Sequence, residues 1–283
     1  MSTSLFRVRD STWRGNENTD RWWLPEIVRF ARPFVRASGS TALLNLPLVG
    51  ATMMFYAAGS AAAAAERFDL LARLFVLRGN KVGGTPKSLA AVLVPSGLAD
   101  QPLTSLYGCL AELIGEAIGL GSEATDEAIQ TFEILRLCSE VIAGERFNEL
   151  VKEYALRDSE FQAAEKLDVQ TQQSAWVARD KVVGRVAESC FPHYAHLLAA
   201  ERTYEAGGPH RWRCPIAERI ADEVARLRDQ HPVAAAWKID SAGLWLALQG
   251  VSAAVGRAGI QIERGYSGFI PDELWLDTGK PPT

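Results

Sequence analysis

Apolar residues recur at helical spacing along most of the chain. Near the start, Ile27, Phe30 and Phe34 fall three and four residues apart, which is the spacing of one buried helical stripe. Pro25 suits the first position of that helix, and Pro33 is expected to kink or end it. The pattern therefore predicts a first helix that begins at Pro25.

Residues 42–65 and 69–77 predict a helical hairpin. The first limb is crowded with small residues, among them Gly59 and a run of alanines, and the second limb brings large aliphatic and aromatic ones. Small side chains on one helix against large side chains on the other allow close packing. Glycines and a proline then break the helical pattern over residues 78–88.

The remaining elements follow from the same reasoning, with glycine and proline marking helix ends. Further helices are predicted at residues 103–118, 125–144, 147–166, 169–190, 192–205, 215–227 and 241–258. In the fourth of these, an apolar residue recurs every seven positions from Val169 to Cys190, which predicts a buried seam. Only residues 260–263 and 274–276 suggest extended chain. Because strands and helices do not alternate, the common nucleotide-binding sheet folds are not favoured.

Together these elements predict an all-α protein, an irregular helical bundle or array of helical hairpins with a short extended C-terminal tail. The length suits one large domain or two modest ones. We assign an N-terminal arm and first helix to residues 1–40, a helical domain to residues 41–258 and the tail to residues 259–283.

The stretch from Leu43 to Ala65 has no charged residue and, with 23 residues, is long enough to cross a bilayer. Eight of these residues are alanine, whose transfer into a bilayer is close to neutral, and residues such as Asn45 and Pro47 dilute the rest. The sequence therefore predicts a buried helix. A membrane-inserting protein is the less favoured alternative.

Charge is distributed unevenly along the chain. Residues 1–36 contain seven arginines and four acidic residues, a net of +3, and the whole chain has a formal charge of −4, so the remaining residues carry −7. This acidic balance gives no general attraction to nucleic acid or anionic lipid, whose binding would need a local patch. Four cysteines among 283 residues do not make a disulfide framework and favour a reducing cytoplasm.

The basic N-terminal segment also holds three of the eight tryptophans, and arginine with tryptophan is the combination that anchors protein interfaces. We predict that this segment docks onto another protein or onto a second copy of the chain. The residues assigned to the contact are Trp13, Trp22, Trp23, Arg29, Arg32 and Arg36. The alternative is that the segment packs on its own domain, where the indoles bury area.

The glycine-rich segment at residues 79–88 resembles a phosphate-binding loop only superficially. Thr85 and Pro86 separate Lys87 from the last glycine, and a helix precedes the segment instead of a strand. Neither a pair of catalytic acids nor a nucleophile motif stands out in the sequence. We therefore predict that the protein is not an enzyme, and we assign it no catalytic residue, no cofactor and no small-molecule site.

Cysteine and histidine concentrate in one region of the chain. Cys190, His193 and His196 are followed by His210 and Cys214, and zinc prefers thiolate and imidazole ligands. The spacing is not that of an established zinc finger, and Cys190 also fits the apolar seam of its helix. We predict no bound metal. A metal-dependent enzyme or zinc-structured protein that uses these five residues is the alternative function.

Residues 48–75, 132–135 and 237–244 carry a resemblance to a known group of proteins. In this order they are similar to the helical C-terminal regions of bacterial multidomain proteins that have Sir2-like or Toll/interleukin-receptor-like effector domains and are presumed to act in antiphage defence. The hairpin also resembles a tetratricopeptide unit. An N-terminal arm of about 40 residues is too short for an effector domain. The resemblance therefore implies a sensing, scaffolding or assembly module that acts through protein–protein contacts.

Overall fold

The computed structural model describes residues 17–31, 41–79, 87–93, 103–164, 166–190, 204–205 and 212–264. Helices make up 86% of the interpretable residues, which confirms the all-α prediction. The elements in chain order are α1 (Glu17–Phe30), α2 (Thr41–Ala64), α3 (Phe68–Phe75), β1 (Arg78–Gly79), β2 (Lys87–Ser88), α4 (Leu89–Val92), α5 (Leu103–Ile118), α6 (Ser122–Ile142), α7 (Phe147–Ala164), α8 (Val169–Cys190), β3 (Tyr204–Glu205), β4 (Trp212–Arg213), α9 (Pro215–Leu227), α10 (Pro232–Trp237) and α11 (Ser241–Arg264).

The chain forms two compact units, Met1–Arg136 and Leu137–Thr283. The division falls inside α6. It does not coincide with the limits at residues 40 and 258 that the sequence suggests, because the helical pattern continues across residue 136 without a break.

In the first unit, α2 is the central helix, and every residue from Ala51 to Ala63 is buried. The central part of the charge-free stretch is therefore buried, as predicted. Within the described part of the chain, no helix is both long and apolar enough to cross a membrane.

The predicted hairpin of α2 and α3 is present in the first unit. Its turn contains Glu66 in the left-handed conformation, with φ at 52°. Rings from both limbs and from α6 form an aromatic cluster, with neighbouring centroids between 5.1 Å and 6.5 Å apart; its members are Phe55, Tyr56, Phe75 and Phe132. This cluster is the centre of the core of the unit.

After the hairpin, where the helical pattern is interrupted, β1 and β2 form an antiparallel pair with two residues in each strand. In this pair, Arg78 lies opposite Ser88. The Ser88 hydroxyl accepts a hydrogen bond from the Ala90 N–H and donates one to the Phe75 carbonyl, each at 3.1 Å, so it caps α4 and ties it to α3. Residues 80–86 of the glycine-rich segment lie outside the described residues.

The predicted limits of α1 and α11 are wrong. α1 begins at Glu17, and Pro25 lies inside it on the exposed side, where the loss of one backbone hydrogen bond is tolerated. α11 continues to Arg264, so residues 260–263 are helical and not extended. An alternation of only four residues does not distinguish a strand from the end of a long helix. The rest of the predicted tail, residues 265–283, lies outside the described residues.

In the second unit, α7, α8 and α11 pack together and α9 packs on α11. α8 and α11 approach closely at Gly250, where a β-carbon would lie 2.2 Å from Val186 Cγ1. The seam predicted for α8 holds only in its C-terminal half: Cys190 is buried, whereas Val169 is 77% exposed. The first turns of α8 are mostly exposed to solvent, so the heptad spacing there does not mark a buried seam.

The helix predicted for residues 192–205 is wrong at its end, because Tyr204–Glu205 is a strand that pairs antiparallel with Trp212–Arg213. A two-residue ladder this short has no periodicity that the sequence reveals. Residues 191–203 lie outside the described residues.

Candidate interaction surface

The first helix docks onto its own unit through a buried carboxylate. Asp20 is 1% exposed, and it accepts a hydrogen bond from Arg67 Nη2 and another from Arg73 Nη2, each at 2.6 Å. Arg67 lies in the turn of the α2–α3 hairpin and Arg73 lies on α3. One buried carboxylate therefore attaches α1 to both the turn and the second helix of the hairpin. Its hydrogen bonds are charge-assisted, and its two oxygens are largely shielded from water.

Apolar contacts complete the docked face of α1. Ile27 is fully buried, and Trp23, Leu24 and Ala31 are each at most 9% exposed. These residues and Asp20 lie on one side of the helix, since they are spaced three or four residues apart. The orientation of α1 about its own axis is therefore fixed by packing and by the ion pairs together.

The opposite side of α1 presents an aromatic and charged face to solvent. Trp22 is 79% exposed, the largest exposed fraction among the large apolar side chains of the described residues. Arg29 lies one heptad further along the same side; its guanidinium is 2.6 Å from Glu26 and 5.1 Å from the ring centroid of Phe30. The predicted buried stripe is wrong at Phe30, which is 43% exposed at the edge of this side. We refer to Trp22, Glu26, Arg29 and Phe30 as the outer face of α1.

The structure separates the six residues assigned to partner binding. Trp22 and Arg29 lie on the outer face of α1, and Trp23 is buried against its own unit. Trp13, Arg32 and Arg36 lie outside the described residues. Trp23 packs on its own unit, as the alternative interpretation expects, whereas Trp22 is exposed to solvent. Binding of a partner through these residues stays a prediction.

The sequence analysis missed a buried charge network in the first unit. Glu133 and Arg136 on α6 are both fully buried, with the Arg136 Nε and Nη2 each 2.9 Å from a different Glu133 oxygen. The Tyr56 hydroxyl donates to Glu133 Oε2 at 2.8 Å, and Arg136 Nη1 donates to the Ala90 carbonyl at 2.5 Å. The network joins α2, α4 and α6 inside the core.

A sequence signal for this network existed but was ambiguous. Two opposite charges three residues apart in a strongly apolar helix suggest either a surface pair or a buried one, and only the tertiary packing decides between them. Burial raises the pKa of the Tyr56 hydroxyl well above its ordinary value, and the negative charge of Glu133 is the second cause of this rise. The hydroxyl therefore remains a donor at all physiological pH values.

A second charged cluster is buried in the second unit. Arg179 on α8 is 2% exposed, lies 3.2 Å from Asp158 on α7, and places its guanidinium 4.3 Å from the ring centroid of Phe161. The adjacent Asp180 is also buried, and its carboxylate is 3.6 Å from Arg179 Nε. The cluster holds α7 against α8 and explains why an arginine occupies the inner side of this helix.

Only two of the five residues of the predicted metal alternative lie within the described chain. Cys190 and Cys214 are buried, and the Cys190 thiol donates to the Val186 carbonyl at 3.6 Å. Burial raises the pKa of Cys214 to about 11 and that of Cys138 well above its ordinary value, so both thiols are protonated at neutral pH.

His193, His196 and His210 lie outside the described residues. Across the residues that the structure describes, no cluster of three or more cysteine, histidine or acidic side chains is arranged to hold a metal ion. The zinc alternative stays a prediction. Elemental analysis of protein purified without a histidine tag tests it: one zinc per chain, lost in Cys190→Ser, would support it.

His231 in the second unit combines two structural roles. Its Nδ1 accepts a hydrogen bond from the Val233 N–H at 3.2 Å and so caps α10, while its Nε2 lies 3.7 Å from Glu223 on α9. Burial lowers the pKa of this imidazole, partly opposed by the Glu223 carboxylate. The neutral form with the proton on Nε2 is the one that this geometry requires.

Comparison of the chain with protein-family models, with curated proteins and with solved structures gives no match.

Proposed function

We propose that this protein is a non-enzymatic helical module that assembles with other protein molecules through the outer face of α1. The observation that carries the proposal is the exposure of Trp22, at 79%, on a helix whose other side is docked by Asp20, Trp23 and Ile27. Large exposed aromatic side chains on a fixed scaffold are typical anchors of protein interfaces.

Docking of α1 also supports the proposal energetically. A helix that is already ordered loses little conformational entropy when a partner binds, so more of the contact energy is available for affinity. The ion pairs from Asp20 to Arg67 and Arg73 provide that order in advance.

The resemblance of residues 48–75, 132–135 and 237–244 to helical regions of presumed antiphage-defence proteins gives the proposal a biological setting. In that setting the module acts in the bacterial cytoplasm as a sensing, scaffolding or assembly component, and the protein that it assembles with supplies any effector activity. The resemblance supports this setting through the hairpin and the stretches at 132–135 and 237–244.

Coexpression with the products of the neighbouring genes tests the proposal. The chain is used as bait, and the recovery of each product is measured for the wild type, for Trp22→Ala and for Val76→Ala, whose side chain is 71% exposed in the same unit. We expect Trp22→Ala to reduce the recovery of a partner, or of a second copy carrying another tag, at least about tenfold, and Val76→Ala to leave it unchanged. Equal recovery for all three proteins would contradict the proposal.

Phage plating on cells with the intact gene cluster gives a second readout. Protection that is lost in Trp22→Ala but kept in Val76→Ala supports the defence setting, and protection by neither the wild type nor the variants contradicts it.

A further inference from the structure

We draw no further inference here: the strongest candidate, the group of buried thiols of Cys138, Cys190 and Cys214 in the second unit, carries none, because its closeness is expressed only in the raised pKa of the Cys138 thiol and, across the residues that the structure describes, no three cysteine side chains are arranged to hold a metal ion.

Discussion

The ring of Phe132 fills the space that a side chain at Gly59 would need. A β-carbon at Gly59 would lie 2.0 Å from Phe132 Cε2, so α2 and α6 reach their close approach only because residue 59 is glycine. Phe132 is also packed against Phe55, Tyr56 and Phe75, with centroid distances of 5.1 Å to 5.6 Å, so the ring has no room to move aside.

Gly59→Ala is expected to destabilise the protein by about 1–3 kcal/mol, because the added methyl group overpacks the core. Gly50 is a matched control on the same helix, since no atom lies within 4 Å of the β-carbon that alanine would add. Because alanine has a higher helix propensity than glycine, Gly50→Ala should stabilise the protein by up to about 1 kcal/mol. Urea unfolding followed by circular dichroism measures both, and equal stability of the two variants would contradict this packing.

Asp20→Asn is expected to loosen α1. The variant removes the charge that holds Arg67 and Arg73, and we expect a loss of about 2 kcal/mol, in the range of hydrogen bonds to charged groups. Amide hydrogen exchange across residues 17–30 should become faster. Asp69→Asn is the control, because Asp69 also pairs with Arg73 but is 57% exposed and should contribute only about 0.5 kcal/mol. Similar exchange in the two variants would show that Asp20 does not fix the helix.

Glu133→Gln is expected to be among the most damaging single substitutions in the first unit. It leaves the fully buried Arg136 without its counter-charge, which costs about 3–5 kcal/mol. Tyr56→Phe removes one hydrogen bond from the same network and should cost about 1 kcal/mol. Thermal unfolding ranks the variants, and a Glu133→Gln protein as stable as Tyr56→Phe would rule out a buried ion pair.

The second unit should lose stability in mild acid through His231. Because the pKa of this imidazole is lowered in the folded state, the unfolded chain takes up the proton first as the pH falls below about 6.5. The contribution of the neutral imidazole to the free energy of unfolding is therefore fully present above that pH. It declines as the pH falls from there to the folded-state pKa. Protonation of Nδ1 also removes the acceptor that caps α10.

His231→Asn provides the control for this pH effect, because asparagine caps helices well but does not titrate. The melting temperature of the wild type should fall more steeply from about pH 7 to about pH 5 than that of His231→Asn. Asp229 does not contribute to the change in stability over this pH range. Hydrogen bonds from Ser241 lower the pKa of its carboxyl group, which ordinarily already lies well below neutrality. Parallel pH profiles of the two proteins would contradict the assignment.

The elements that the sequence predicts correctly are those with a long, clear apolar period. The apolar pattern predicts α5 at residues 103–118, and the helix spans Leu103–Ile118. The spacing of Ile216, Ile220 and Val224 correctly predicts the buried side of α9. Short-range alternation is a weaker signal, and it wrongly indicates extended chain at residues 260–263, which end α11.

The candidate surface is harder to derive from the sequence. Trp22 and Trp23 are adjacent and chemically identical. The apolar packing of α1, together with the ion pairs from Asp20 to Arg67 and Arg73, determines that the first is exposed and the second is buried. The charged groups in the core are hidden from the sequence for the same reason: Arg136 and Arg179 are buried by their tertiary surroundings, whereas periodicity places arginine on a solvated face.

Fluorine NMR of protein labelled with 5-fluorotryptophan observes Trp22 itself and therefore tests whether the outer face of α1 binds another protein molecule. The resonance is assigned by its loss in Trp22→Phe, and its solvent isotope shift reports exposure of the ring to water. We expect a large isotope shift in dilute protein that decreases as the concentration rises or a partner is added, while the resonance of the buried Trp23 stays unchanged. A Trp22 resonance that is fully solvated under all these conditions, or protected from water even at high dilution, would contradict it.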